Sequence, residues 1–191
     1  MTNFIGEYKI DDSICDRLIE HHKNGKQTQG VAGYGEIDKD SKDSIDVAGK
    51  DLPYYYENLY VCIQKYLETY IWSNKDQYYF DIIETPNIQY YPPGGGFKIW
   101  HYENSWQRSD KNPDDITMAK RHLVFMTYLN DVTDEGQTEF FYQRRFVQPR
   151  KGLTLIWPAG WTHTHRGIPS ETQEKYIITG WISFRDYVDQ R

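Results

Sequence analysis

Cysteine is scarce in this chain. Of 191 residues only Cys15 and Cys62 carry a thiol, too few for a disulfide framework or a four-thiolate zinc site. Long apolar runs are missing as well. The longest apolar-rich stretch, LTLIWPAGW at 153–161, is broken by Pro158 and Gly160 and falls short of the ~18 residues a membrane span needs. The first residues, MTNFIGEYKIDD, carry charge where a secretory signal needs an apolar stretch. These absences predict a soluble, cytoplasmic protein with free thiols and no membrane partner. Positive charge is in deficit too: 22 Lys+Arg against 28 Asp+Glu leave a net charge of −6, which argues against a broad grip on nucleic-acid phosphates. There is no internal repeat and no low-complexity tail. What the chain does have is aromatic bulk, 17 Tyr and 6 Trp, enough to pack an interior and to exclude a disordered chain. Its length fits a single domain, 1–191.

The first third reads as helical. Ile14, Cys15, Leu18 and Ile19 recur at three- and four-residue steps between Ser13 and Lys23, with Asp12 or Ser13 as the expected cap and Asn24-Gly25 as the stop. Residues 26–51 are polar and turn-rich and read as a long surface connection. A second helix is expected after Pro53, whose missing N–H is harmless in a first turn. Its apolar stripe runs through Tyr55, Leu59, Cys62, Ile63, Tyr66, Leu67, Tyr70 and Ile71, as for a helix lying on a sheet. From about residue 78 the period changes. YYFDIIE, NIQYY, FKIWHYE, RHLVFMTYLN, QTEFFYQ, LTLIWP and KYIITGWISF alternate with turn signals such as PPGGG and NDVTDEG. RRFVQPRK (144–151) reads as a solvated turn. The expected fold class is therefore mostly β with N-terminal helices (α+β). Residues 1–75 supply supporting helices packed on one sheet, and 76–191 an antiparallel jelly roll.

Only six histidines are available for chemistry. His21 and His22 read as surface residues, and His122 as structural or surface. His101 differs because Glu103 lies two residues on, and on an extended segment i and i+2 share a face. His163 and His165, in WTHTHRG, also share a face and offer a second imidazole. Two imidazoles and one carboxylate on one side of a metal leave the opposite positions open, as a non-heme Fe(II) oxygenase requires. Lys175, ten residues beyond His165, heads a strand whose same-face positions are Ile177, Thr179 and Trp181. An ammonium pointing inward among such residues needs an anion, and a dicarboxylate cosubstrate would supply one. The plainer readings are a hydrogen-bonded His–Glu pair and a lysine that snorkels to solvent.

The ordered set of these motifs, over roughly residues 80–184, resembles the Fe(II)/2-oxoglutarate-dependent dioxygenases, in particular their prolyl 4-hydroxylase-like branch. The matching elements are His101-x-Glu103, His165 followed by Gly167, Lys175 ten residues later, Tyr91 before PPGGG, Tyr128 in TYLN, Gly136-x-Thr138-x-Phe140, and Pro149-x-Lys151-Gly152. The resemblance implies a double-stranded β-helix, Fe(II) held by His101, Glu103 and His165, and 2-oxoglutarate held by Lys175 with Tyr91, Tyr128 or Thr179. Oxygen would be the cosubstrate and ascorbate a reductant. The implied reaction hydroxylates an unactivated C–H bond, most simply of a prolyl residue in a peptide, with release of succinate and CO2. A small molecule remains an alternative substrate, and nucleic acid is disfavoured by charge. Trp181, Trp100, Tyr142, Arg166, Trp106 and Trp161 are candidate cleft walls. Glu103 stands where the branch usually carries Asp, and Glu135-Gly136 where Gly-Gly is common. A jelly-roll binding module with a vestigial metal site and a cupin-like metal protein that does not use 2-oxoglutarate stay open.

Overall fold

A computed structural model of the protein describes residues 2–32, 37–74, 80–105 and 115–185. Its strands are β1 (Gly6–Lys9), β2 (Thr28–Gln29), β3 (Ile45–Ala48), β4 (Phe80–Asp81), β5 (Asn87–Tyr91), β6 (Arg121–Tyr128), β7 (Thr138–Phe140), β8 (Arg145–Val147), β9 (Leu153–Pro158), β10 (His165–Gly167) and β11 (Lys175–Phe184). The helices are α1 (Asp12–Asn24) and α2 (Pro53–Thr69). A large sheet runs β1-β9-β6-β11-β5-β3-β2, with β4 paired to β11, and a small sheet runs β10-β7-β8. The two form a jelly roll in which the described pairings are antiparallel.

The period-two alternation of the strands divides the core. Leu123, Phe125, Ile156, Tyr176, Ile178 and Ile182 face α1 and α2, where they meet Leu18, Tyr55, Leu59, Cys62, Ile63 and Tyr66. Val124, Met126, Tyr128, Leu155, Trp157 and Ile177 point the other way, toward Phe140 and Val147 of the small sheet. Each fully buried aliphatic side chain contributes about 1.5–3 kcal/mol, so both faces of the large sheet hold the fold. The alternation skips one position on the helix-facing side of β11. A Cβ at Gly180 would lie 2.5 Å from Phe125 Cζ and 3.0 Å from Pro86 Cβ, so the Phe125 ring fills that place.

Several local expectations are corrected. The first third is not only helical, because β1 pairs with β9 along the sheet edge. Residues 26–51 are not merely a surface connection. Within them β2 pairs with β3 and β3 with β5, and Lys42, Ser44 and Asp46 are buried. RRFVQPRK contains a strand, β8, so it is not a plain turn. FKIWHYE forms no named strand; Phe97 and His101 make isolated bridges to Lys42 and His165. The cap of α1 is Asp11, whose carboxylate accepts the Ser13 N–H. The apolar stripe of α2 ends early, with Thr69 as its last residue and Ile71 exposed. His22 is buried, with Nε2 2.9 Å from the Ile45 carbonyl. Its neighbours on β3 and β5 come from elsewhere in the chain, so the helix pattern alone could not reveal it. His163 is buried outside the metal-facing set, in a 3-10 turn (Trp161–His163), with Nε2 3.0 Å from the Asn3 carbonyl.

Candidate metal centre

The site lies between the two sheets, in a cavity of about 550 Å³ lined by His101, Glu103, His165, Lys175, Tyr91 and Tyr128 among others. Its two imidazoles come from residues far apart in sequence but directly opposite each other across an antiparallel bridge. The His101 N–H donates to the His165 carbonyl at 3.0 Å, and the His165 N–H returns to the His101 carbonyl at 2.9 Å. Such a mutually bonded pair sets two side chains abreast on one face. Glu103 follows on a backbone held by the Ala159 carbonyl, which accepts its N–H at 3.0 Å.

Ring orientation is fixed from behind. His101 Nδ1 lies 2.9 Å from the Ile99 carbonyl and His165 Nδ1 2.9 Å from the His163 carbonyl. A carbonyl only accepts, so each Nδ1 donates a proton to it and each Nε2 is the nitrogen left to face the site. Both Nε2 atoms face the same carboxylate oxygen, with Glu103 Oε1 3.5 Å from His101 Nε2 and 3.7 Å from His165 Nε2. The ligand atoms of the three residues lie within 4.8 Å of one another. Phe97 stacks on His101 at 3.8 Å between ring centroids and Trp157 meets His165 edge-on at 5.1 Å, so neither ring is free to turn. Burial and the neighbouring His101 push the His165 imidazole down to about 3, so it is neutral. Burial also opposes charge on Glu103, but the adjacent His101 and His165 side chains and the Arg121 guanidinium outweigh it and lower the carboxyl to about 2. Two imidazoles and one carboxylate, convergent at their inner atoms, are the donor set of a divalent iron site with open positions.

Lys175 heads β11 in the same cavity. It is 4% exposed, so it does not snorkel to solvent. Nζ donates to the Gly136 carbonyl at 2.8 Å and the Ile168 carbonyl at 3.3 Å, and sits 5.3 Å from the centre of the Tyr91 ring. Among the described residues no carboxylate lies within ion-pair reach of it, and burial lowers its ammonium to about 8. Tyr128 and Thr138 are joined through their hydroxyls at 2.6 Å, while Tyr91 donates to Gln89 Oε1 at 2.6 Å. Thr179 also lines the cavity and donates to the Phe125 carbonyl at 3.1 Å. The Trp157 indole N–H, in the cavity wall, is buried and has no hydrogen-bond partner among the described residues. An unpaired cation, an unused donor and a string of hydroxyls suit a small polyanionic ligand.

Of the candidate walls, Trp100, Arg166 and Trp181 line the cavity. Tyr142 and Trp161 do not; both are exposed, 5.8 Å apart on the outside of the molecule. Trp106 lies outside the described residues. Sequence reasoning missed Arg121, which reaches Glu103, and the buried Lys42–Asp46 pair in the cavity wall. Their partners are set by tertiary packing, and no local signal marks them.

Residues 86–183 match the model of the 2OG-Fe(II) oxygenase superfamily, and the chain belongs to that superfamily, whose cofactors are Fe(II) and 2-oxoglutarate. No curated protein sequence matches it. Among solved structures it is similar to a viral collagen prolyl hydroxylase from Paramecium Bursaria Chlorella virus-1 in complex with 2OG, at 21% identity and a TM-score of 0.70 over 95% of this chain and 97% of that one. It is also similar to a Pseudomonas putida prolyl-4-hydroxylase, at 15% identity and a TM-score of 0.66 over 96% and 94% of the two chains. A Trichoplax adhaerens prolyl hydroxylase in complex with a hypoxia inducible factor peptide fragment matches at 16% identity and a TM-score of 0.71 over 96% and 84%.

Proposed function

We propose that the protein hydroxylates a prolyl residue in a peptide or protein, using Fe(II), 2-oxoglutarate and O2 and releasing succinate and CO2. The observation that carries this reading is the buried Lys175, with no carboxylate in ion-pair reach among the described residues, in the same cavity as the His101–Glu103–His165 cluster. In this assignment His101 Nε2, His165 Nε2 and Glu103 Oε1 hold the iron, which supplies the oxidising power for C–H cleavage when bound. Lys175 pairs with the distal carboxylate of 2-oxoglutarate, helped by hydroxyls drawn from Tyr91, Tyr128 and Thr179. That pairing fixes the direction in which the keto acid reaches the metal. The apolar walls Met126, Trp157 and Ile177 exclude water from the reacting end.

A peptide substrate is supported by the rim. Arg166 lies over the Trp100 ring at 4.5 Å, Trp100 meets Phe141 at 5.1 Å, Phe141 meets Tyr142 at 5.1 Å, and Tyr142 meets Trp161. This row of exposed rings leads from the cavity mouth onto the surface, and aromatic surfaces of that kind receive extended proline-rich segments. The likeness to a hydroxylase bound to a peptide points the same way. The test is to incubate the iron-loaded protein with 2-oxoglutarate, O2 and either proline-rich peptides or free proline. Gain of one oxygen atom on a peptidyl proline, matched by succinate, is the expected result. Succinate coupled only to free proline, or to no prolyl product, contradicts the substrate assignment.

A further inference from the structure

We infer that Trp181 and Arg121 are positioning residues that restrict Glu103 to a single metal-facing oxygen. This rests on reading His101, Glu103 and His165 as metal ligands. A free glutamate carboxylate on a flexible stem can turn both oxygens toward one cation. Here the two oxygens have different surroundings. Oε1 faces the Nε2 atoms of both imidazoles. Oε2 accepts the Trp181 indole N–H at 2.9 Å and lies 3.4 Å from Arg121 Nη1.

Neither donor can follow the carboxylate if it turns. Arg121 is buried and stacks on the Trp181 ring at 3.5 Å. Its guanidinium is held by both Glu84 oxygens, at 2.9 and 2.5 Å, and Nη1 also reaches the Glu103 carbonyl at 3.3 Å. Turning Oε2 inward would therefore break the hydrogen bond from the half-buried Trp181 indole to a carboxylate and cost Arg121 its contact with that oxygen. The consequence is chemical. A keto acid that chelates through two oxygens and an O2 molecule need three open positions on a six-coordinate ion. Three single-atom protein ligands leave that number, whereas a chelating Glu103 would close one. The extra methylene that distinguishes Glu103 from an aspartate is thus accommodated by a clamp on its outer oxygen.

The test uses Trp181→Phe, which keeps an aromatic ring on the Arg121 side and removes the N–H together with part of the indole's bulk. Co(II) and then 2-oxoglutarate are titrated without oxygen, and the visible absorption of the Co(II) is followed. The expected variant binds Co(II) within about threefold of wild type. Its 2-oxoglutarate Kd rises about tenfold or more, and its Co(II) spectrum differs before 2-oxoglutarate is added. Arg121→Met, a second variant in case the first does not fold, shifts the same two readouts in the same direction by a smaller amount. An unchanged spectrum and 2-oxoglutarate Kd overturn the inference. So does a variant that loses Co(II) affinity yet, once saturated with the ion, binds 2-oxoglutarate as wild type does, because the contact would then build the site rather than limit the glutamate. Failure of the wild-type protein to bind Co(II) at all would instead overturn the metal-site reading, and would be seen before any variant is made.

Discussion

At the scale of single residues, Lys175 makes the sharpest demands. Its ammonium is desolvated and, among the described residues, meets carbonyls and a ring face, and burial brings it down to about 8. A carboxylate bound beside it favours the charged form. The affinity for 2-oxoglutarate is therefore predicted to be level below pH 8. Above it, affinity falls by about tenfold per pH unit until the bound-state value is reached. The ligand-free fold behaves in the opposite sense. An unfolded lysine keeps its proton to a higher pH than the folded one, so this residue's contribution to stability rises as the pH climbs from 8 toward the ordinary lysine value. Calorimetric titration of 2-oxoglutarate at several pH values checks the first statement, and a flat profile through pH 9 contradicts it. Lys175→Ala should weaken 2-oxoglutarate binding by about 2–5 kcal/mol while leaving metal affinity near wild type. The three candidate ligands and this lysine were picked out in the sequence by the H-x-E spacing and the ordered motifs of the resemblance, although His101 and Glu103 lie on no named strand. Trp181 and Arg121 were not legible as partners of Glu103, since their contacts span 78 and 18 residues and depend on how β6 and β11 pair.

At the scale of elements, the segment before α2 is where the sequence reading fell short. Its polar composition signals a loop, yet β3 extends the large sheet and places Asp46 beside Gln89 of β5. The polarity has a local purpose. Lys42 Nζ donates to Asp46 Oδ2 at 2.9 Å and Ser44 Oγ to Asp46 Oδ1 at 2.7 Å, all three residues being buried. A buried pair adds little over an apolar replacement, but a widowed partner is expensive. Asp46→Ala is predicted to lower stability by about 3–5 kcal/mol and Lys42→Met with Asp46→Leu by much less. Urea denaturation of both variants decides this, and equal losses would contradict it. In β11, Gly180→Val should destabilise by about 1–3 kcal/mol or more, because the new side chain meets the Phe125 ring. Strands β4, β5, β6, β7, β9 and β11 and both helices were legible because apolar periodicity is strong there. The short strands β1, β2 and β8 were not, since pairing at an edge or in a small sheet defines them more than local pattern does.

At the scale of the whole molecule, the large sheet separates two tasks. Its outer face is a dry, apolar bed for α1 and α2, and its inner face carries the lysine, the hydroxyls and the cavity walls. The small sheet brings in His165 on β10, and the bridge to His101 closes the set. Ligands that bind only when these sheets are assembled must stabilise the assembly. Fe(II) and 2-oxoglutarate together, each at about 100 times its Kd, are predicted to add roughly 2.7 kcal/mol apiece, read as a rise in Tm under anaerobic conditions. The 2-oxoglutarate share should vanish in Lys175→Ala. The most direct test of the central claim is an anaerobic titration of 2-oxoglutarate into the Fe(II)-loaded protein while visible absorption is recorded. The account predicts a metal-to-ligand charge-transfer band that saturates with 2-oxoglutarate and is lost in His101→Ala. Fe(II) binding without such a band, or no binding of either, would contradict it.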